Sequence, residues 1–558
     1  MSSRSMRQRT AHLILWSPVA VAVLYLLQLV RTFGTVRDSL ASHADFASAP
    51  VLAQLMSGRP PGSVVLLGDY RWFEALWLMR GTQWLPWHMT MWELVPFALW
   101  IVLIAAVYVA VRRISTGRWA ALTAAALVIC GGTSMRNTIW SLNTHGPAAV
   151  HAAILGLTVV LLAGARQRPT FARWAIGSSA LLVPVTAFGA TDPLLLTTGV
   201  APFALACLAL AWRTDDWVAG AYGLVVAAGS TVGAKVLLHL GDAAGLGWTH
   251  RAVSFVRPDA VLEQLEIVPS ATASLVSRSS FGEQLGLASG VAIAGGLLAL
   301  ATGAIVLRSA GRAAWAAVRS APDSNPAPDH LAPAPDPDVA AAAQDPSAAV
   351  EEQRRLAARD AFLVFWVAAA SVGLAQFVFT NAAIDYFGAR YLIGTWVAIC
   401  ALLPVVAELR GTRVVAAGAG AAIAFVAFGQ TVANPKPTRD SPYPSQQNVA
   451  ELLQFAREAH VTSGYAGFWD AIPITWQSRF KLKVYPLYPC AEGKNCPMYQ
   501  HQISSWYAPG DEGRRMLIVD PRNPTQPNVD EAYGEPIIQR QVGPMTVYVY
   551  ASDLAAKL

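Results

Sequence analysis

The residues best equipped for chemistry lie in one polar stretch, Arg31 to Trp92, between the first two apolar runs. It holds Asp38, Asp45, Asp69 and Glu74 beside Trp72, Trp77, Trp84, Trp87 and His88. A carboxylate can take a proton from a hydroxyl, and indole faces can stack on a sugar ring. That combination suits a hydroxyl-rich ligand. The competing expectation is an amphipathic loop lying on lipid, with its tryptophans at headgroup level.

Other ionisable residues join this set once the chain is threaded through a bilayer. The 558 residues are 54% hydrophobic and 14% charged, with a mean hydropathy of +0.39. A soluble domain of this length needs more surface charge. Several runs reach the ~20 apolar residues that cross a bilayer. The first, Leu13 to Val30, follows Arg4, Arg7 and Arg9 and lacks a small-residue cleavage site. It reads as a retained helix. The net charge of +6 needs no nucleic-acid partner, because the arginines cluster at the ends of apolar runs.

About eleven spans are expected. The second to eighth cover 93–111, 119–132, 147–164, 174–189, 194–212, 217–239 and 287–307; the last three cover 361–380, 392–408 and 414–432. The N-terminal arginines place the N-terminus in the cytoplasm, and each later inner turn carries arginine. Residues 31–92 are then the first outer loop. Residues 321–350, rich in Pro, Ala and Asp, read as a disordered cytoplasmic linker. Residues 1–433 form a polytopic all-α membrane domain, and 434–558 an extracytoplasmic α/β domain. The expected location is the inner (plasma) membrane, crossed many times.

In the tail, NVAELLQFAREAH has helical periodicity with Asn448 as a cap, and KLKVYPLY, RRMLIVD and MTVYVY are strand-like. The aromatics of GYAGFWDA and SSWY either contact a glycan or pack on the membrane domain, and packing is the commoner fate. Of five cysteines, Cys130, Cys207 and Cys400 lie in apolar runs. Cys490 and Cys496 are spaced for a short-range disulfide in an oxidising compartment.

This topology gathers Asp38, Asp45, Asp69, Glu74, Arg136, His145, Asp192, Asp385, Arg390 and Tyr391 on the outer side. Ionisable residues at span ends have a function or a structural partner. Asp192 with Pro193 fits a helix N-cap. Asp385 and Arg390 fit a local ion pair. The segment 241–285 reads as an amphipathic surface stretch. No HxxxH spacing around His145 and His151 marks a zinc site. One reaction suits such an outer site: an acceptor hydroxyl attacks a sugar held on a lipid phosphate. A carboxylate takes the hydroxyl proton, and a cation steadies the departing phosphate.

The layout resembles the GT-C superfamily of membrane glycosyltransferases. The resemblance rests on the first helix, the outer loop with its early acid in SHADFASAPVLAQL, the Arg-Tyr pair of DYFGARYLIGTW opening a late span, and the soluble tail. It implies an inverting enzyme that moves a sugar from a polyprenyl phosphate to a cell-envelope glycan, lipid or protein. By that resemblance the catalytic acid is Asp45, with Asp69 as runner-up. Arg390 and Tyr391 match the late pair and would face the donor phosphate. The second outer loop, TSMRNTIWSLNTH, lacks the acid that family members often carry, which leaves Arg136 and His145 as phosphate-side candidates. No residue is assigned to a metal, and the use of a divalent ion stays open. A transporter or flippase of a lipid-linked glycan is the alternative. It would place charge at mid-bilayer and show internal repeats; Lys235 is the main charge within a span, and no inverted repeat is visible. A third reading, an assembly or sensor protein, predicts no cavity joining Asp45 to a lipid-accessible groove.

Overall fold

The computed structural model describes residues 3–56, 64–67, 72–140, 145–165, 171–249, 254–277, 287–319, 346–381, 386–433, 444–490, 493–508, 513–529 and 531–558. Asp69 and Asp385 lie outside them, as does the Pro/Ala/Asp-rich stretch up to residue 345.

Among the described residues, eight helices are long and apolar enough to cross a membrane. They belong to α1 (Ser3–Arg31), α5 (His88–Ile114), α8 (Gly146–Ala165), α10 (Pro193–Thr214), α11 (Trp217–Ala243), α13 (Leu287–Arg319), α14 (Pro346–Phe379) and α15 (Ile393–Arg410). The third, fifth and eleventh expected spans fall on α6 (Arg118–Ile129), α9 (Phe171–Gly189) and α16 (Arg413–Ala433), which are not among the eight. At 1.5 Å per residue, the 12 residues of α6 reach only about 18 Å. The chain then turns at Gly131–Gly132 into the short α7 (Thr133–Ile139).

Helix α14 begins at Pro346, inside the stretch expected to be a linker through 350. Proline is tolerated in the first helical turn, and the Ala/Glu/Arg sequence after it favours helix. The most buried of the eight is the one that contains α15, whose residues Ile393 to Ala407 are nearly all buried. It is the axis of the bundle.

The segment 241–285 is more than a surface stretch. It contains α12 (Pro258–Val276), whose last turns, Ala271 to Val276, are buried against α13 and α7. The Leu275 carbonyl accepts from the Gly132 amide at 2.7 Å. A Cβ on Gly132 would overlap the Val276–Ser277 backbone, so only glycine fits this crossing. The same holds at Gly146, where a Cβ would strike the Thr138 carbonyl. The start of α8 is thereby fixed against α7.

The described part of the first expected loop is largely helical, and much of it is packed. It folds into α2 (Phe33–Ala41), α3 (Ala44–Leu55), β1 (Val64–Leu67) and α4 (Trp72–Thr82). Residues Phe46 to Ala53 of α3 are all buried. Ala47, Ala49, Val51, Leu52 and Ala53 share a core with Trp92, Phe468, Ile472, Trp476 and Ile503. Strand β1 pairs in parallel with β2 (Gly247–Thr249) and antiparallel with β6 (Gln502–Ile503). Three distant parts of the chain thus share one small sheet.

The tail holds a six-stranded sheet, ordered β5-β4-β3-β7-β9-β8. Its strands are β3 (Ser463–Gly467), β4 (Lys483–Pro489), β5 (Asn495–Pro497), β7 (Arg515–Val519), β8 (Ile538–Val542) and β9 (Met545–Tyr550). Three of these match the expected strands. Strand β3 pairs in parallel with β4 and β7, and the other pairings are antiparallel. Cys490 and Cys496 form a disulfide beside the β4–β5 pair. Helix α17 (Gln446–Glu458) is capped by Ser445, whose hydroxyl accepts from the Asn448 amide, rather than by Asn448 itself. A serine three residues ahead reaches that amide, whereas Asn448 already lies inside the first turn.

Helix α18 (Phe468–Gln477) packs on α3 and joins the tail to the bundle. Gln477 Nε2 donates to the Ala41 carbonyl at 3.4 Å and the Ser42 hydroxyl at 3.2 Å. Arg479 reaches the buried Glu93 on α5 at 2.7 Å. Aromatics of β3, α18 and the turn after β6 follow the packing expectation: Tyr465, Phe468 and Trp506 are buried.

Candidate functional site

The site is assembled at the N-terminus of α3. His43 is the N-cap residue, with extended backbone, and its Nδ1 accepts from the Asp45 amide at 3.3 Å. An imidazole nitrogen can accept only when it carries no proton. Burial depresses the His43 pKa, Arg390 depresses it further, and Asp45 opposes both. The neutral ring and the cap therefore agree. The 4.0 Å approach of His43 Nδ1 to Asp45 Oδ2 is a neighbour contact rather than an ion pair. Asp45 sits in the first turn, where the helix dipole favours negative charge. Only 14% of its side chain is exposed.

The 3-10 segment Tyr386–Leu392, ahead of the central α15, carries the partner. Arg390 Nη1 stands 3.9 Å from Asp45 Oδ2. A hydrogen-bonded guanidinium–carboxylate pair closes to about 2.8 Å. The looser separation keeps the two charges side by side without locking them together. The expected partner Asp385 lies outside the described residues; among them, Arg390 meets Asp45 across the fold. This contact arises because α3 and the 3-10 segment meet at the same end of the bundle.

From Arg390 the array continues inward. Its guanidinium lies over the Tyr391 ring, 5.5 Å from the centroid. Tyr391 in turn packs on His145, with ring centroids 4.6 Å apart. His145 Nδ1 meets Asp192 Oδ2 at 2.8 Å, and both side chains are almost fully buried. The other Asp192 oxygen accepts from the Leu194 amide at 2.9 Å, and Pro193 opens α10. The capping expectation for Asp192 holds, and a second role is added to it. One turn later α10 contains a π-turn, Leu196–Val200. Such turns often sit near working sites.

The tail contributes from the opposite side. Trp469 on α18 meets the His43 ring edge-on at 5.5 Å. His501 stacks on Phe468, with centroids 5.3 Å apart. Burial pushes the His501 pKa down to about 4, and the Asp45 charge opposes that shift. His501 therefore belongs to the surroundings of Asp45.

The remaining candidates fall elsewhere. Arg136 lies over the Trp140 ring at 5.6 Å, and its buried Nε has no hydrogen-bond partner among the described residues. Its helix, α7, packs on the 3-10 segment, so Arg136 flanks the array without joining the contacts above. Asp38 pairs with the adjacent Arg37 at 3.1 Å. Trp77, Trp84 and Trp87 are exposed rather than gathered around Asp45. Among the described residues, no group of three His, Cys, Asp or Glu side chains could hold a metal ion.

Trp77 instead borders an apolar groove of about 330 Å³, with Phe188, Leu237, Leu240, Gly241 and Ala244. The Phe188 carbonyl accepts from the hydroxyl of Thr191, the residue before Asp192. The groove therefore reaches within one helical turn of the buried His145–Asp192 pair.

Sequence reasoning named Asp45, Arg390, Tyr391, His145 and Asp192. It missed His43, Trp469 and His501. His43 had a signal, being the polar residue just ahead of a helix whose first turn holds Asp45. His501 had none, because a loop histidine is placed only by the tertiary fold. No family model matches the chain, and no curated protein or solved structure matches it either.

A further buried acid lies in the tail. Asp470 on α18 accepts from the Asn523 amide nitrogen, and burial pushes its pKa up to about 8. The Asn523 bond and Arg522 oppose that shift, and Asp520 adds to it. A carboxyl whose pKa is raised by folding stabilises fully below its ordinary value of 3.8, and that contribution is lost as pH rises toward 8. His501 works in the opposite direction: its depressed pKa costs stability as pH falls from 6.5 toward 4. Between about 6.5 and 8 the Asp470 contribution changes alone. Tail stability should fall there by on the order of 2 kcal/mol. Thermal unfolding across that window checks this. Asp470→Asn should flatten the profile, and an unchanged slope would mean that Asp470 titrates normally.

Proposed function

We propose that the chain is a membrane glycosyltransferase of GT-C type, with about eleven spans. It takes a sugar from a polyprenyl phosphate and passes it, with inversion, to an extracytoplasmic hydroxyl. The observation that carries this reading is the placement of Asp45 beside Arg390, where the tail packs against a bundle of apolar helices. The bundle supports a lipid carrier, the carboxylate supports proton removal, and the guanidinium supports phosphate departure.

In this reading the acceptor oxygen attacks the anomeric carbon while Asp45 takes its proton. The bond from that carbon to the phosphate oxygen breaks, and the polyprenyl phosphate leaves with the electron pair. Arg390 neutralises the departing anion, and the Tyr391–His145–Asp192 array holds Arg390 in place. The groove at Trp77 and Phe188 offers the isoprenoid an apolar path. The arginine-bearing helix ends, from Arg112, Arg113, Arg354, Arg355, Arg410 and Arg413, face the cytoplasm of a plasma membrane. The site and the tail are then extracytoplasmic.

The test is transfer itself. Purified protein in liposomes is given radiolabelled polyprenyl-phosphate hexoses and pentoses together with cell-envelope acceptor. Label should move from the lipid to the acceptor and leave free polyprenyl phosphate. If the labelled lipid only changes leaflet and is never cleaved, the reading gives way to a flippase.

A further inference from the structure

The end of the bundle opposite Asp45 contains a second built cavity. It measures about 290 Å³ and opens between the last turns of α5 and α8 and the first turns of α9 and α14. Arg113, Arg354 and Arg355 line it, with Glu351 as the single carboxylate. The remaining wall is apolar: Val160, Leu161, Ala165, Trp174 and Ala358 among others. Arg113 is exposed, and Leu161 is partly open on the outer face of α8. Arg355 also lines an adjoining cavity of about 80 Å³, with Arg359 and Arg413.

Nearby carboxylates offset part of this charge: in the adjoining cavity Glu408 lies 3.8 Å from Arg413, and Asp360 lies 3.9 Å from Arg359. Glu351 approaches Arg354 at 3.4 Å, but 74% of the Glu351 side chain is exposed. Glu352 engages Arg355 and lies outside the lining. Arg113 brings a further positive charge from another helix. Forked guanidiniums match phosphate oxygens, and arginines converging from two helices beside an apolar wall suit an amphiphile more than a free ion.

We propose that this cavity binds the phosphate of an anionic phospholipid headgroup, with the acyl chains lying along the apolar wall of α8 and α9. Basic pockets between helix ends are a recurring mode of lipid headgroup recognition. Free phosphate shares the headgroup chemistry and would use the same arginines, but it gains nothing from Leu161 and Trp174. The proposal is independent of the sugar-transfer reading, because no residue is common to the two sites.

Delipidated full-length protein in detergent is titrated with phosphatidylglycerol, phosphatidylcholine or inorganic phosphate. Bound lipid is counted by native mass spectrometry, and thermal unfolding is followed in parallel. Phosphatidylglycerol should be retained and should raise the unfolding temperature, and the other two should not. Arg113→Gln with Arg354→Gln should weaken retention by about a hundredfold, about tenfold for each of the two charge-assisted bonds lost. Arg312→Gln, at the same end but outside the lining, should change nothing. If the double variant fails to fold, Arg113→Gln alone serves, since that side chain is exposed, and it should still weaken retention. Equal retention of phosphatidylcholine, stabilisation by inorganic phosphate alone, or undiminished retention by the arginine variants would overturn the proposal.

Discussion

Asp45→Asn should lower sugar transfer by about 10²–10⁴-fold while the protein folds normally. Asparagine keeps the shape of aspartate and can still accept hydrogen bonds, but it cannot take up the acceptor proton. The structural cost is small. Asp45 stands in the first turn of α3, and losing its charge there removes only about 0.3–1 kcal/mol of dipole interaction. The His43 cap uses the Asp45 backbone amide, which the substitution leaves in place. The loss should therefore appear in kcat, with donor binding preserved. Arg390→Gln should act differently. It removes the positive charge 3.9 Å from Asp45 and the guanidinium over Tyr391. Donor affinity and turnover should fall together. The two variants are compared by steady-state transfer with one donor and acceptor pair, and by unfolding temperature. A folded Asp45→Asn protein with full transfer would remove Asp45 from the chemistry.

The second large effect is on stability. Asp192→Ala should cost about 2–4 kcal/mol, the sum of a buried hydrogen bond and an N-cap. One carboxylate oxygen caps α10 through the Leu194 amide, and the other holds His145 Nδ1. Alanine removes both, leaves a buried imidazole nitrogen without that partner, and releases the ring on which Tyr391 packs. Asp192→Asn should cost much less, because its carbonyl oxygen can keep one of the two contacts. Unfolding of both variants in detergent, with transfer measured beside it, separates these roles. Equal unfolding temperatures for the Ala and Asn variants would show that the double contact contributes little.

Much of this molecule was legible in its residues. Hydropathy marked the long helices, since ~20 apolar residues in a row have few other fates. The tail strands over 483–489, 515–519 and 545–550 followed from β-branched and aromatic enrichment. The Asp192 cap was readable because a cap depends on residues within one turn. The cysteine pair was readable because only six positions separate its members. Errors came where a rule of local composition met long-range packing. The segment 31–92 was expected as an outer loop, either handling a ligand or lying on lipid. Its helix α3 is core because it packs on Phe468, Ile472 and Trp476 of the tail, while Trp77, Trp84 and Trp87 stay exposed. The Asn448 cap was misplaced by three residues, since propensity fixes a helix better than its ends.

The sequence by itself determined a chain rich in apolar helices, a strand-bearing tail, and an early acid between the first two apolar runs. Each of these is set within a few residues by hydrophobicity, spacing and capping. Only the tertiary structure brought Arg390 to Asp45 and gathered His43, Trp469 and His501 around the same carboxylate. Those partners are brought together by the docking of α18 on α3, a contact that joins Gln477 to Ala41 across 436 positions. Short-range periodicity carries no information about which distant surfaces are complementary, because that choice is made by packing over the whole bundle.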